Sequence, residues 1–315
     1  MKHILRLTIA FGMIVCFAGA LFAEEQNMNI VVIPKGSDHV FWDFIRAGVD
    51  EAVKEIGNIH LRWRGPAYND DTASQIKIVE IYTKPDTDAI IIVPTDKQAL
   101  IEPIKKATEL GIKVVVIDSG LDGDYHRAFI GTDNKQGGVL AAKHLASLIN
   151  DQGKVMALRT VQGSSSTDLR AEGFLEEMKN HPNIQVVSDE YGGGSKGKSY
   201  HAALKLLETL QDLQGIFAVN ESSTAGMLQA LQDSGRAQQV KFVGFDASDE
   251  LIKGLASKDI DALVIQNPHQ MGYMGIKAAA AAIRGEPVEP LVYTDVALAT
   301  PENYESPNIH ALLYP

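Results

Sequence analysis

The sequence is poor in the residues that build cross-links and metal centres. Its 315 residues include a single cysteine, Cys16, so neither an intramolecular disulfide nor a cysteine-based metal site can form. The eight histidines after residue 30 show neither H-E-x-x-H nor any comparable metal-ligand spacing. We therefore expect no metal and no cofactor, and we identify no catalytic residue.

Basic residues are also few relative to acidic ones. The chain carries 29 Lys and Arg against 40 Asp and Glu, a formal net charge of −11 at pH 7. Proteins that bind nucleic acids hold the phosphates with a basic surface. We therefore expect no nucleic acid as a partner, and the length favours two domains.

Only one apolar run is long enough to suggest export or membrane insertion. Residues 7–22 are apolar, follow the basic Lys2 and Arg6, and end at Ala23 before two glutamates. This pattern is typical of a secretory signal peptide, residues 1–23, cleaved after Ala23. Cleavage would remove the sole cysteine and leave 27 basic against 40 acidic residues, a charge of about −13. The alternative is an uncleaved anchor, for which the run is short, since a span takes about 20 residues.

Seven short apolar runs recur along the rest of the chain without polar alternation. Continuous β-branched runs suit strands buried on both faces of a parallel sheet, and stretches with helical spacing separate them. The repeated order of strand, helix and strand predicts an α/β protein with doubly wound parallel sheets. A restart after residues 129–138 divides the pattern into two similar α/β domains. The runs are residues 29–34, 89–94, 113–118, 154–159, 215–220, 241–246 and 262–266.

Polar and aromatic residues follow the predicted strands at their carboxyl ends, where open parallel sheets bind ligands. Carboxylates and amides bind hydroxyl groups, and an aromatic ring stacks on the apolar face of a sugar. The pattern favours a neutral polyhydroxylated ligand, although each residue taken alone could be a turn or a helix cap. The candidate ligand-binding residues are Lys35, His39, Phe41, Trp42, Asp118, Asp168, Arg170, Asn220, Asp246 and Gln266.

Several of these segments resemble the periplasmic ribose- and galactose-type sugar-binding proteins of ABC transporters, which share their fold with the ligand domain of the lactose-repressor family. The segments FAVNESSTAGMLQAL and FVGFDASDE match the family closely and imply ligand contacts at Asn220 and Asp246. VIQNPHQMG matches the hinge segment, with Gln266 at the cleft, and SDHVFWDFIRAG keeps the aromatic pair of the first helix. The resemblance covers about residues 29–300.

The resemblance implies a type I periplasmic binding protein, in which two lobes joined by three chain crossings close on the ligand like a hinge. It implies an N-lobe of residues 29–131 and 268–292, and a C-lobe of residues 134–265 and 293–315. The expected protein is a periplasmic monomer that binds a small molecule and is recognised in its closed form by a membrane permease or a sensor.

The sequence departs from the family at several positions of the site. Val93 and Ser119 stand where the family often has Asn and Arg, and Asp168 replaces a ligand-facing arginine. Lys35 and His39 enter from the first strand and its loop. A neutral sugar or polyol is the first expectation, while a sugar acid, an amino sugar or another small polar solute stays open.

The sequence is compatible with more than one role for this site. The same residues would serve a sensory protein that reports to a membrane kinase or chemoreceptor. A glycoside-processing enzyme would need Asp118 and Asp246 to approach as paired carboxylates. Of the adjacent Phe41 and Trp42, we expect one ring to stack on the ligand and the other to be buried or at the rim. The sequence does not decide whether Arg64 or Gly194 lines the site.

Residues 192–199 read G-G-G-S-K-G-K-S, which satisfies the G-x-x-x-x-G-K-[ST] pattern of a nucleotide-binding P-loop. Asp189 and Glu190 directly before this loop would repel a triphosphate, and an exported protein meets little ATP. We therefore interpret the glycines as a flexible lip of the cleft that leads into a helix beginning near Lys198.

Overall fold

The computed structural model describes residues 27–37 and 40–314. The predicted signal peptide and His39 lie outside these residues. No helix in the described part of the chain is both long and apolar enough to cross a membrane. The same residues contain no group of three or more His, Cys, Asp or Glu side chains placed to hold a metal ion.

Strands and helices alternate along the described chain. The strands are β1 (Met28–Ile33), β2 (Ile59–Trp63), β3 (Ala89–Ile92), β4 (Lys113–Ile117), β5 (Ala128–Gly131), β6 (Gly153–Arg159), β7 (Ile184–Tyr191), β8 (Gly215–Ala218), β9 (Lys241–Phe245), β10 (Ala262–Gln266), β11 (Leu291–Tyr293) and β12 (Val296–Ala299). The helices are α1 (Val40–Ile56), α2 (Thr72–Tyr82), α3 (Ile101–Glu109), α4 (Asn134–Leu148), α5 (Ser165–Met178), α6 (Lys196–Thr209), α7 (Glu221–Asp233), α8 (Asp249–Ala256), α9 (Pro268–Arg284) and α10 (Pro307–Leu313).

The strands form two six-stranded sheets of similar topology. The first has the order β11-β5-β4-β3-β1-β2, and the second has the order β12-β10-β9-β8-β6-β7. All neighbours pair in parallel except β12, which is antiparallel to β10. We call the first sheet with its helices the N-lobe and the second sheet with its helices the C-lobe. The predicted fold class of two doubly wound α/β lobes is confirmed.

The central strands are apolar throughout because helices cover both faces of each sheet. All four residues of β3 are buried. Successive residues point to opposite faces, so Ile90 and Ile92 belong to one apolar cluster of the N-lobe and Ile91 belongs to another. The alternation explains why the sequence shows a continuous run rather than an amphipathic one.

The chain passes between the two sheets three times. The first crossing lies between β5 and α4, because α4 packs against β8, β9 and β10 of the C-lobe. The second lies between β10 and α9, since α9 packs against β3, β4 and β5 of the N-lobe. The third lies between β11 and β12, which belong to different sheets.

Glycines allow one pair of helices in each lobe to pack closely. A Cβ atom on Gly48 of α1 would lie 1.9 Å from the carbonyl oxygen of His269 in α9. In the C-lobe, a Cβ atom on Gly138 of α4 would lie 1.9 Å from the carbonyl oxygen of Arg170 in α5. The second contact fixes the backbone of Arg170, one of the predicted site residues.

Candidate functional site

A cavity lies between the lobes, where the carboxyl ends of both sheets face each other. The space free of protein atoms there is ≈ 520 Å³, solvent at its mouth included. Eight of the ten predicted residues line this cavity. They are Lys35, Phe41, Trp42, Asp118, Arg170, Asn220, Asp246 and Gln266.

Asp118 and Asp246 occupy corresponding places in the two lobes. Each follows the fourth strand of its lobe along the chain, β4 for Asp118 and β9 for Asp246. Both adopt a left-handed backbone, with φ of 59° and 72°. Residues other than glycine rarely take this conformation, and such strain is concentrated at functional sites. Both carboxylates are buried at the cavity wall.

The Asp246 carboxylate is held by the protein itself. It accepts a hydrogen bond from Gln266 Nε2 and another, of 2.8 Å, from the backbone N–H of Glu221. Gln266 in turn accepts a hydrogen bond of 2.7 Å from Thr132 Oγ1 at the first crossing. Arg170 Nη1 lies 3.8 Å from an Asp246 oxygen. This network fixes the orientation of Asp246 before any ligand arrives.

The Asp118 carboxylate is different, because no described residue donates a hydrogen bond to it. Asp118 is only 4% exposed to solvent. Burial raises the pKa of Asp118, and the nearby charges of Lys35 and Arg170 oppose that effect. A buried acceptor without a donor is costly, so this carboxylate is poised to accept hydrogen bonds from a bound molecule.

Lys35 extends from the end of β1 in the N-lobe to the C-lobe. Its Nζ donates hydrogen bonds of 2.9 Å to Ser164 Oγ and 3.2 Å to Ser166 Oγ. No described residue accepts from its third N–H. Burial lowers the pKa of Lys35 to about 8, against the opposing pull of Asp118. The ammonium therefore bridges the lobes and keeps one donor for the cavity.

Arg170 has mainly structural contacts. Its guanidinium donates hydrogen bonds of 2.7 Å to Asn134 Oδ1 and 3.0 Å to the Val219 carbonyl. It also stacks on the Phe245 ring, with 3.7 Å between the guanidinium carbon and the ring centre. Burial lowers the pKa of Arg170, and Asp246 opposes this shift. The arginine supports Asp246 and closes the cavity from the C-lobe side.

Both aromatic residues at the start of α1 reach the cavity. The rings of Phe41 and Trp42 meet edge to face, with centres 5.2 Å apart and planes at 82°. Trp42 Nε1 donates a hydrogen bond of 2.9 Å to Asn69 Oδ1, which also lines the cavity. Which ring stacks on a ligand stays a prediction.

The structure places two further residues away from a direct role in the cavity. Asp168 does not line it, because its Oδ2 accepts a hydrogen bond of 3.0 Å from the Gly163 N–H within its own lobe. Arg64 is exposed and donates to the carbonyl of its neighbour Trp63. Asn220 does line the cavity, and its side chain also caps α7 by accepting from the Ser223 N–H.

Several residues that line the cavity were not predicted from the sequence. The only local signals are the polar loop from Thr160 to Thr167 and the segment YND around Asn69, both of which look like ordinary loops. The residues missed are Asn69, Thr160, Val161, Ser164, Ser166, Thr167 and Glu221, and Gly194, for which the sequence was undecided, also lines the cavity.

The glycine-rich loop lies at the rim of the cavity. Lys198 Nζ is 2.6 Å from Asp70 Oδ2 of the N-lobe, and Ser199 Oγ donates to the Gly193 carbonyl. Residues 193–197 also read G-x-S-x-G, but Ser195 is extended at φ −140° and its hydroxyl caps α6, unlike the strained turn of a nucleophile elbow. Lys198 is thus paired with the N-lobe, and the hydroxyls of Ser195 and Ser199 are engaged within the loop itself.

Two similar α/β lobes with a buried polar cavity between them define a two-lobed binding-protein architecture. The chain belongs to the periplasmic binding protein domain family, whose model matches residues 30–287. The family predicted from the sequence is thereby confirmed.

Proteins similar to this chain agree with this assignment. The D-ribose/D-allose-binding protein of Pseudomonas aeruginosa is 31% identical over 293 residues, covering 89% of this chain and 92% of that protein. An ABC transporter solute-binding protein from Agrobacterium vitis with bound D-fucose has a TM-score of 0.88 and 32% identity, covering 91% of this chain and 100% of that one. A carbohydrate transporter solute-binding protein from Agrobacterium radiobacter, in complex with D-arabinose, has a TM-score of 0.88 and 33% identity. The match covers 92% of this chain and 100% of that one. These relatives are binding proteins rather than enzymes.

Proposed function

We propose that this protein is the solute-binding component of an ABC importer and that it encloses one neutral sugar between its lobes. The observation that carries the proposal is the buried Asp118 carboxylate, which faces the cavity without a donor from any described residue. A sugar hydroxyl would supply that donor. The C-lobe contributes Asp246 and Asn220 to the same cavity, so the ligand would hold both lobes together.

The charges of the cavity favour a neutral ligand over an anionic one. Two cationic residues, Lys35 and Arg170, and three acidic residues, Asp118, Glu221 and Asp246, line it. A sugar acid would add a further negative charge to this set, and burying an uncompensated charge is costly. The aromatic pair offers an apolar wall of the kind that suits a sugar ring. Relatives that bind D-ribose, D-allose, D-fucose or D-arabinose support the same ligand class.

The cellular setting belongs to the same proposal. Residues 1–23 act as a cleaved signal peptide, and the mature protein is a monomer in the periplasm, where its closed form delivers the ligand to a membrane permease. We propose no catalytic role, in keeping with the relatives, which are binding proteins. A sensory partner instead of a permease would use the same site, and a pull-down from membranes would distinguish the two.

A thermal-shift screen of the chain from residue 24 onward tests the ligand class. The panel contains D-ribose, D-allose, D-arabinose and D-fucose, with D-glucuronate, D-glucosamine and magnesium ATP as charged comparisons. At about 100 times its Kd, a ligand stabilises the folded state by about 2.7 kcal/mol, which raises the melting temperature by several degrees. Stabilisation by charged solutes alone, or by no member of the panel, would overturn the proposal. Turnover of a nitrophenyl glycoside would favour an enzyme instead.

A further inference from the structure

We infer that Asp168 is a positioning residue for lobe closure. Its carboxylate holds the segment from Gly163 to Ser166, which we name the clasp, in the conformation that joins the C-lobe to the N-lobe. The inference rests on the proposed function, since it concerns how the same binding site closes. It assigns Asp168 a role other than the ligand contact expected from the sequence.

The clasp makes several hydrogen bonds to the N-lobe. The Gly163 carbonyl accepts a hydrogen bond of 3.0 Å from the Lys97 N–H. Ser164 Oγ accepts one of 2.9 Å from Lys35 Nζ. The Ser166 N–H donates one of 3.2 Å to Ser119 Oγ. All of these bonds join separate lobes, so opening of the cleft would break them.

Gly163 is a point of close approach between the clasp and the N-lobe. Its φ of 89° is one that other residues rarely adopt. A Cβ atom added at Gly163 would also lie 2.2 Å from Asp96 Oδ2 across the cleft. The clasp therefore needs a glycine here for two reasons, the backbone conformation and the space between the lobes.

Asp168 holds this conformation from within the C-lobe. Asp168 Oδ2 accepts the hydrogen bond of 3.0 Å from the Gly163 N–H, and Oδ1 lies 3.7 Å from Arg159 Nη1. Arg159 is fixed in turn by Asp189, with 2.6 Å between Nη2 and Oδ2. Since Asp168, Gly163, Arg159 and Asp189 belong to one lobe, this support persists when the cleft opens. A loop that is ordered in advance loses less entropy on closing.

Three variants separate this role from simple folding. Asp168→Ala removes the acceptor, Asp168→Asn keeps an oxygen acceptor, and Glu172→Ala removes an exposed carboxylate of the same helix as a control. The first readout is hydrogen exchange of the peptide that contains Gly163 in the sugar-free protein. The second is sugar dissociation and lobe closure, measured by stopped-flow fluorescence and small-angle scattering with whichever sugar of the panel binds the wild type.

We expect Asp168→Ala to speed exchange at the Gly163 amide about tenfold and to speed sugar dissociation by a similar factor. Its scattering at saturating sugar should indicate a more open molecule, while Asp168→Asn recovers most of the protection and Glu172→Ala matches the wild type. Unchanged exchange and dissociation in Asp168→Ala, or equal losses in Asp168→Asn and Asp168→Ala, would overturn the inference. Because the exchange readout needs no sugar, a wild type that binds none of the panel counts against the proposed function alone.

Discussion

Asp118→Asn is the substitution that best separates ligand binding from folding. Asparagine has the same shape as aspartate, and both residues tolerate the left-handed backbone that φ of 59° requires at this position. Alanine would strain that backbone and would confuse a loss of binding with a loss of stability. The variant therefore changes the charge of Asp118 and converts one acceptor oxygen into a donor, with little else altered.

The expected loss of affinity follows from the contacts of the carboxylate. A hydrogen bond from a sugar hydroxyl to a buried carboxylate contributes about 1.5–3 kcal/mol. Asparagine keeps one acceptor, so we expect one such bond to be lost, which weakens Kd roughly 10- to 200-fold. The sugar-free protein should not suffer, because burial raises the pKa of Asp118 and its charge is therefore unfavourable in the folded state. Its unfolding midpoint should stay the same or rise.

Calorimetric titration with a sugar of the panel gives Kd, and thermal unfolding without sugar gives the midpoint. Asp43→Asn, on the exposed face of α1 in the same lobe, is the matched control and should leave both values unchanged. A Kd for Asp118→Asn within twofold of the wild type would refute the role of Asp118 as a ligand acceptor. A fall in the midpoint that parallels the loss of binding would show that the carboxylate supports folding instead.

Three further predictions concern the wall and rim of the cavity. Sugar binding should shift the tryptophan emission, and Trp42→Phe should remove the shift; an unmoved wild-type spectrum would argue against Trp42 as a contact. Burial holds the pKa of Lys35 at about 8 in the closed protein, against about 10.4 for a solvated lysine. Closing of the lobes should therefore release a proton from Lys35 at pH values between these two pKa values, and closing should become more favourable as the pH rises through that window. Titrations with sugar at pH 9 in buffers of different ionisation enthalpy measure the proton release, and Lys35→Met should abolish it. Lys198→Ala removes an exposed ion pair with Asp70 and should weaken sugar binding no more than about fivefold. At about 1 M salt the variant and the wild type should bind the sugar with equal affinity. A larger, salt-independent loss would contradict this view of the rim.

The sequence was sufficient for most strands inside the two sheets, although β5, which lies between β11 and β4, was not among the predicted runs. Each of the seven apolar runs corresponds to an observed strand, with ends that agree within two residues. Burial on both faces leaves a continuous apolar signal that needs no tertiary information to detect. The strands β11 and β12 lacked that signal because they lie at the edges of the sheets, where Leu291 and Tyr293 are half exposed.

The lining residues at strand ends were also predictable, since a parallel sheet places all its carboxyl ends at one edge. Contacts between the lobes were not. Lys35 and its partner Ser164 are 129 positions apart, and nothing in either neighbourhood marks the other. The P-loop pattern was uninformative for a related reason. The pattern describes only a glycine-rich turn before a helix, and it does not show that Lys198 pairs with Asp70 on the other lobe.

Asp168 illustrates a subtler difficulty. Its position in the first turn of α5 is compatible with a side chain that faces the cavity or one that turns back to its own loop. The choice depends on Gly163, whose N–H it accepts, and on Arg159, which lies on the neighbouring strand β6. Position in the sequence identifies the turn, but only the packed lobe decides the direction of the carboxylate.

Gln266 connects the ligand cavity to the chain crossings about which the lobes move. It ends the strand that leads into the second crossing, accepts a hydrogen bond from Thr132 in the first crossing, and donates one to Asp246 in the cavity. A substitution of Gln266 that changes which sugar is preferred will also change how readily the lobes open and close. Ligand selectivity and the ease of lobe closure therefore cannot be engineered independently at this residue.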